Sequence, residues 1–391
     1  MKIIHAIRRL DPATGGPPVV VLHIAIAQAA AGAEVHLICH EDPDTTPAVD
    51  AMLAEAPGSA GVTFHRIPRH GRCTELFAPA LLRRFDQLVD SPDLTVAHLH
   101  GVWEPMLARV AAQARRRRAP YVVTPHGLLD PYSLSQSSLK KRLSMGLVQR
   151  RMLNAAAAIH ALNEDEKQCI APLKLTAPVA IVPNGVDLDT LDPLPEPGRF
   201  RTQHPRLGEA PFLLFLSRLH RKKGLDILVD AFDRYARAGG NMHLVVAGPD
   251  GGECDATLKL IQHRNLADRI HMVGPLYGPD KLAALRDAFA FVLSSRQEGF
   301  SIAITEALAC SLPVIISDSS HFPEVAEVGA GRVLPLEAAA FAKAFNELEA
   351  DPEAAAAMGR AGAQLVRDRY TWPKVAAAMI ALYQSLLTQS P

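Results

Sequence analysis

The stretch Ser294-Ser295-Arg296-Gln297-Glu298-Gly299-Phe300-Ser301-Ile302-Ala303-Ile304-Thr305-Glu306-Ala307-Leu308-Ala309 decides how this chain is read. An apolar run, Ala290 to Leu293, feeds a polar corner with one glycine, after which Ile302, Ala303, Thr305, Glu306 and Ala309 recur with the rhythm of a helix. The pattern predicts a strand, a sharp loop and a helix start. Such a start carries backbone N–H groups without intrahelical partners, and its aligned peptide dipoles favour negative charge, so Gly299 to Ala303 is a candidate phosphate cradle. Glu298 and Glu306 bracket it. An acid beside a phosphate is counterproductive unless it points elsewhere, and sugar hydroxyls suit a carboxylate, which accepts several hydrogen bonds at once. On this stretch alone a plainer reading stands beside it, with Glu298 capping the loop and Glu306 facing solvent.

Working outward, a chain of 391 residues exceeds one ordinary core, and two domains of about 180 residues are expected. With 48% hydrophobic and 21% charged residues the composition is that of a globular protein. The formal net charge is zero, and neither an aromatic-rich basic patch nor zinc-finger spacing points to nucleic acid. Cys39, Cys73, Cys169, Cys254 and Cys310 are scattered without a CxxC, which fits a reduced, cytoplasmic chain. Met1-Lys2-Ile3-Ile4-His5-Ala6 enters a strand pattern directly, without an apolar signal region, and the apolar runs are too short to span a bilayer.

Ile3 to Ile7, the helical run Val19 to Ala31 and Glu34 to Cys39 form a βαβ unit, with Gly15-Gly16-Pro17 in its first loop. GxGxxG is absent, which argues against NAD or FAD; the loop either lets backbone approach a ligand or is a tight turn. Strands are expected at Val62 to Ile67, Thr95 to His100, Tyr121 to Thr124, Ala156 to Leu162 and Val179 to Val182. His100 and His126 lie at the ends of two successive strands and look towards one cleft if those strands are parallel neighbours; a loop histidine beside glycine is a better functional candidate than one on an apolar face, with a structural hydrogen bond as the alternative for each. From His98 through Ala155 ten Lys or Arg (Arg109, Arg115 to Arg118, Lys140, Lys141, Arg142, Arg150, Arg151) face only Glu104 and Asp130. With Leu139, Leu143, Leu147, Val148 and Leu153 interleaved, such a patch suits an anionic membrane or a pyrophosphate-bearing lipid, or is a solvated helix face.

Pro183 to Pro211 is rich in Pro, Asp and Glu and reads as the linker. The second half repeats the βα architecture, with strands at Phe212 to Leu216, Met242 to Ala247, Ile270 to Val273, Ala290 to Leu293 and Val314 to Ile316. Helices are expected at Leu336 to Ala350, Pro352 to Asp368 and Val375 to Leu387. Arg218 and Lys223 lie in the loop after the first of these strands. Two cations and convergent amides suit a diphosphate, because they neutralise charge that builds on it as it departs. Neither GxxxxGK[ST] nor aspartate clusters are present, which argues against an ATPase or GTPase and against a required metal clamp.

Taken in order, these motifs resemble the retaining GT-B glycosyltransferases of family 4, over essentially the whole chain. The pattern of a glutamate, seven residues and a second glutamate is Glu298 to Glu306. Further matches are Gly15-Gly16-Pro17, Pro125-His126-Gly127, Pro183-Asn184-Gly185-Val186-Asp187, Arg218 with Lys223-Gly224, and Val273-Gly274-Pro275-Leu276. The resemblance implies an α/β protein of GT-B fold, with two Rossmann-like β/α/β domains facing across a central cleft. These would be residues 1–190 for the acceptor, 191–370 for the nucleotide sugar, and a helix at 371–391 crossing back to the first domain.

By that resemblance Glu298 contacts hydroxyls of the donor sugar and Glu306 the ribose. Arg218, Lys223 and the amides of Phe300 and Ser301, next to Gly299, hold the diphosphate, and Gly15 and Gly16 close over it. His126 lies beside the donor sugar, and Val273 to Leu276 line the base pocket. The family often carries glycines before a Pro-Glu pair, where this chain has Ser317-Asp318-Ser319-Ser320-His321-Phe322-Pro323-Glu324. His126-Gly127-Leu128-Leu129-Asp130-Pro131 resembles members that build bacterial surface polysaccharides.

The implied function is a hexosyltransferase moving glucose, mannose or galactose from a UDP- or GDP-sugar to a saccharide acceptor, polyprenyl-diphosphate-linked in one version, at the inner face of the plasma membrane. No metal and no cofactor beyond the donor substrate are expected. A non-catalytic sugar-nucleotide-binding subunit and an NDP-sugar epimerase are the competing readings.

Overall fold

The computed structural model describes all residues except 13–15, 70, 72–76, 136–137, 189, 192 and 389–391, together with the side chains of 132 and 138–140. The chain divides into two compact units, Met1–Gly185 with Trp372–Pro391, and Val186–Thr371.

The first unit is built on β1 (Lys2–Arg9), β2 (Glu34–Glu41), β3 (Val62–Pro68), β4 (Thr95–His100), β5 (Tyr121–Thr124), β6 (Ala158–Ala161) and β7 (Val179–Ile181). They form one sheet in the order β3-β2-β1-β4-β5-β6-β7, and every pairing is parallel. Burial on both faces explains why β4 has no exposed residue. Helix α1 (Gly16–Ala30) follows β1, and α2 (Glu164–Ile170) follows β6, capped by the Asn163 side chain accepting from the Glu166 N–H.

The second unit carries β8 (Phe212–Leu216), β9 (His243–Ala247), β10 (Ile270–Gly274), β11 (Ala290–Leu293), β12 (Val314–Ser317) and β13 (Gly331–Leu334), all parallel, in the order β10-β9-β8-β11-β12-β13. Helix α3 (Leu225–Arg237) follows β8, and α4 (Ile302–Ala309) follows β11. Strand β13 was not expected: it has four residues, begins with glycine and sits half-buried at the sheet edge, so no apolar run announces it.

The chain leaves the first unit at Gly185, five residues before the expected boundary at 190, because Val186 is already 4% exposed in the second core and its N–H donates to the Tyr370 carbonyl. The chain re-enters the first unit at Trp372, where α5 (Trp372–Thr388) begins. Trp372, Val375, Ala376, Met379, Tyr383 and Leu386 form its buried stripe, and α5 packs on α1, with the Trp372 ring stacked on His23 at 5.5 Å. The basic stretch from Leu139 to Leu153 is built from Ser138–Ser144, a π-helical turn at Met145–Gln149, and Arg150–Asn154.

A Cβ on Gly185 would lie 2.6 Å from Trp372 Cδ2 and 2.9 Å from its backbone Cα, whereas one on Gly146 would meet nothing within 4 Å. Gly185→Ala is therefore expected to cost about 1–3 kcal/mol through overpacking, a fall of several degrees in Tm, while Gly146→Ala leaves Tm unchanged or raised. Equal melting of the two variants by calorimetry would contradict this account of the return point.

Candidate functional site in the second unit

Strand order reverses between β8 and β11, which are neighbours in the sheet although distant in sequence. In a doubly wound parallel sheet the loops leaving such a pair border the ligand crevice. The loop after β8 holds Arg218 and Lys223; the loop after β11 holds Glu298.

Backbone contacts fasten these loops together. Gly224 has φ +66°, a left-handed conformation, and a Cβ there would lie 1.9 Å from the Ser294 carbonyl oxygen, so no other residue fits. Ser294 Oγ donates to the Gly224 carbonyl (2.9 Å), and the Arg296 N–H donates to the Lys222 carbonyl (2.7 Å). The Arg296 guanidinium grips both Asp226 oxygens, at 2.8 and 2.6 Å. The loop after β12 supports the same corner: Ser317 Oγ donates to the Ser295 carbonyl, and the Glu298 N–H donates to the Ser319 carbonyl. The serine-rich version of this loop thus reaches Glu298 through backbone.

Lys223 Nζ donates to Glu298 Oε1 at 2.6 Å, and Ser295 Oγ donates to the same oxygen at 2.5 Å. The two side chains are 19% and 8% exposed. Glu298 Oε2 has no hydrogen-bond partner among the described residues. Glu306, one turn into α4, is arranged alike: Lys281 Nζ donates to its Oε1 at 2.7 Å, leaving Oε2 open. Each acid thus keeps one oxygen neutralised by a lysine and one available to a hydroxyl. Lys281 and Ser295 were not expected; Lys281 lies on a helix 25 residues away in sequence, where a lysine reads as solvent-facing.

Arg218 is exposed and has no side-chain partner among the described residues, so its guanidinium is available to an anion. Ser301 occupies the N-cap position of α4 without a side-chain bond to the first-turn amides, and Gly299 and Phe300 precede it at that end. Val273 lines a cavity of about 570 Å³ with His204, Leu258 and His271, whereas Leu276 does not line it; neither Glu298 nor Lys223 does.

In the first unit, Gly16 opens α1 beyond β1, and β1 and β4 are the strands where order reverses there. Gly15 and Cys73 lie outside the described residues. Strands β4 and β5 are parallel neighbours, as the histidine reading required, and His100 Nδ1 lies 3.1 Å from His126 Nε2. His126 has φ +53°, an uncommon backbone state for a residue with a side chain. Glu166 pins the turn, its Oε1 accepting from the Gly127 N–H (2.6 Å) and its Oε2 from Leu162 (2.7 Å). Burial pushes the Glu166 carboxyl up and pulls His126 down to about 3. In the sequence, Asn163-Glu164-Asp165-Glu166 reads as the cap of the helix that follows β6, which gives Glu166 no further role.

Several cations of the basic segment already have partners within the first unit. Arg117 is paired with Asp86, Arg109 lies over the Phe77 ring at 4.7 Å, and Lys141 donates to the Ser133 carbonyl and sits over Trp103. Arg142, Leu143, Gly146, Leu147, Arg150 and Arg151 are exposed, with spacings that place them along one helical face, and Arg150 donates to the Leu173 carbonyl at 3.0 Å.

Residues 198–365 match the family described as glycosyl transferases group 1, and residues 14–190 that described as glycosyltransferase family 4. The GDP-mannose-dependent alpha-(1-6)-phosphatidylinositol monomannoside mannosyltransferase of Mycobacterium tuberculosis is 30% identical over 338 residues, covering 82% of this chain and 84% of that protein. The GDP-mannose:cellobiosyl-diphosphopolyprenol alpha-mannosyltransferase of Xanthomonas campestris is 27% identical over 393 residues, covering 99% and 97%. Among solved structures, a sucrose-phosphate synthase from Thermosynechococcus elongatus matches with a TM-score of 0.73 at 23% identity, covering 100% of both chains.

The ion pair makes its own prediction. Lys223→Met strands a largely buried carboxylate and should destabilise the protein by about 1.5–3 kcal/mol, whereas adding Glu298→Gln should recover most of the loss. Urea unfolding of the single and double variants measures this coupling, and strict additivity would show that the pair is not formed.

Proposed function

Because the chain belongs to the family 4 glycosyltransferases and is a hexosyltransferase of GT-B fold, we propose that it moves a hexose, mannose foremost, from a nucleoside-diphosphate sugar to a lipid-linked saccharide. Retention of configuration and a role in surface-polysaccharide assembly belong to the same proposal. The observation that carries it is the pair of acids, Glu298 and Glu306, each with one oxygen held by a lysine, together with Arg218, which has no side-chain partner among the described residues, in the loop that carries Lys223. Both mannosyltransferases above are named for GDP-mannose and for lipid-borne acceptors, which supports that donor and acceptor class here.

In this mechanism Arg218, Lys223 and the amides of Phe300 and Ser301 take up charge as the diphosphate departs, with Gly15 and Gly16 assigned to the same group. Glu298 Oε2 accepts from donor-sugar hydroxyls and Glu306 Oε2 from the ribose, while Val273 and Leu276 are assigned to the base. The acceptor hydroxyl attacks from the face the diphosphate leaves and gives its proton to that phosphate. His126 is assigned to the sugar. The cations do the work a metal would otherwise do, so the reading requires none.

Leu143 and Leu147, 57% and 78% exposed between Arg142, Arg150 and Arg151, are proposed to rest on the anionic inner face of the plasma membrane, where the acceptor lipid lies. No helix among the described residues is long and apolar enough to cross a membrane.

Glu298→Gln and Arg218→Ala should each lower kcat by about a hundredfold or more, with folding retained. GDP-mannose, UDP-glucose and ADP-glucose compared by thermal shift identify the donor, since a ligand bound only by the folded state raises Tm. Near-wild-type turnover in both variants would remove the assignment. Separately, Arg142, Arg150 and Arg151 changed to Glu should abolish sedimentation with phosphatidylglycerol vesicles, and undiminished sedimentation would remove the membrane proposal.

A further inference from the structure

The interior of the first sheet is threaded by histidines: His5 on β1, His98 and His100 on β4, His160 on β6, with His126 beyond β5. His5, His98, His100 and His160 are 0–6% exposed. Burial pulls His5 and His160 down to about 4, and His98 and His100 well below their ordinary range. Each ring is therefore neutral near pH 7 and carries one N–H, which makes its bonding directional.

One carbonyl sets every direction. The Val182 carbonyl can only accept, so His160 Nε2, 2.7 Å away, holds that ring's proton. His160 Nδ1 is then bare and takes the Thr124 hydroxyl proton (2.8 Å), and Thr124 Oγ1, its proton spent, accepts from His98 Nε2 (2.6 Å). His98 Nδ1 is bare in turn and accepts from the Tyr383 hydroxyl of α5 (2.6 Å). The Tyr383 oxygen accepts from the Gln28 amide nitrogen at 3.5 Å, which turns the amide oxygen to His5 Nε2 at 2.7 Å. His5 Nδ1 then accepts from His100 Nε2 (2.9 Å), and His100 Nδ1 accepts from His126 Nε2 (3.1 Å). Reversing the order would set a bare nitrogen against the Val182 carbonyl.

The end of this sequence is His126, with its proton on Nε2 and a bare Nδ1 that has no partner among the described residues. We propose that Tyr383, Thr124, Gln28 and His160 are positioning residues that lock His126 in this tautomer, so that Nδ1 presents a fixed acceptor to a substrate hydroxyl. The identity of that hydroxyl as a sugar's rests on the glycosyl-transfer reading; the lock does not. The chain holds a direction and does not conduct a proton, because passage would require the Gln28 amide to gain a proton on oxygen and lose one from nitrogen. The facing nitrogens of His5, His98 and His100 lie within 4.8 Å of one another, close enough to share a metal ion, yet each already has its donor or acceptor in this order.

The test is imidazole ¹⁵N NMR of the full-length protein with labelled histidine, His126 being assigned through His126→Gln. The wild type at pH 7 should show His126 protonated at Nε2 and bare at Nδ1. Tyr383→Phe and Thr124→Val cut the chain at different places, and each should yield a mixture that includes the Nδ1-protonated form. With the competent population divided, kcat/KM should fall about two- to fivefold in each variant. The double variant should fall no further, since both changes remove the same instruction.

A wild-type His126 protonated at Nδ1, an unchanged tautomer in both variants, multiplied losses in the double variant, or stoichiometric zinc by elemental analysis would each overturn the proposal. A tautomer shift in protein that transfers no sugar from any donor would uphold the lock and remove the glycosyl-transfer reading.

Discussion

The contact of Gly224 with the Ser294 carbonyl is the constraint on which the second unit's site depends. The strand-order reversal brings β8 and β11 side by side, but their exit loops meet only because a residue without a side chain stands where a Cβ would be 1.9 Å from oxygen. Lys223 immediately precedes Gly224 in the chain, so this backbone approach delivers its ammonium to Glu298. The geometry of the charges is fixed by uncharged groups. That division suits a mostly buried ion pair, whose desolvation offsets much of its attraction and makes it a poor source of stability by itself. Ser295 completes the coordination of Oε1, which leaves Oε2 without a hydrogen-bond partner among the described residues.

Much of the fold was legible because buried parallel strands are written as short apolar runs. Phe212 to Leu216 and Ala290 to Leu293 are strands over the residues expected, and the glutamate spacing placed Glu306 one turn inside its helix. What escaped lacks such a signature. Strand β13 is a half-buried edge strand, so its residues have no need to be apolar. Lys281 owes its role to the packing of one helix beside another, a relation that spacing does not encode. The positive segment shows the same limit: sequence counts arginines, whereas Asp86, Phe77 and Trp103 decide which cations remain free.

Glu166 illustrates a signal that was correct and incomplete. Asn163, three residues earlier, does cap the helix, yet the glutamate carboxylate turns to the Leu162 and Gly127 amides and holds the turn that carries His126. Two amide donors offset part of the cost of burying it, although burial still pushes its carboxyl up. Holding His126 in a left-handed conformation costs about 1–3 kcal/mol, and such a cost persists only where surroundings over-determine the position. Here they do so twice, through the backbone at Gly127 and through the ring at His100.

The two sheets carry polarity in opposite ways. In the second, β8 and β11 are wholly apolar inside and the charges are confined to the exit loops, which suits an anion arriving at the edge. In the first, polar rings run through the interior, and each unsatisfied one would cost about 1–3 kcal/mol. An ordered run of donors and acceptors removes that cost for His5, His98, His100 and His160 without introducing charge. Neutrality then has a chemical consequence at the end of the chain. An imidazolium would attract phosphate and hydroxyl alike, but a bare nitrogen offers a lone pair that repels an anion and accepts a hydroxyl proton.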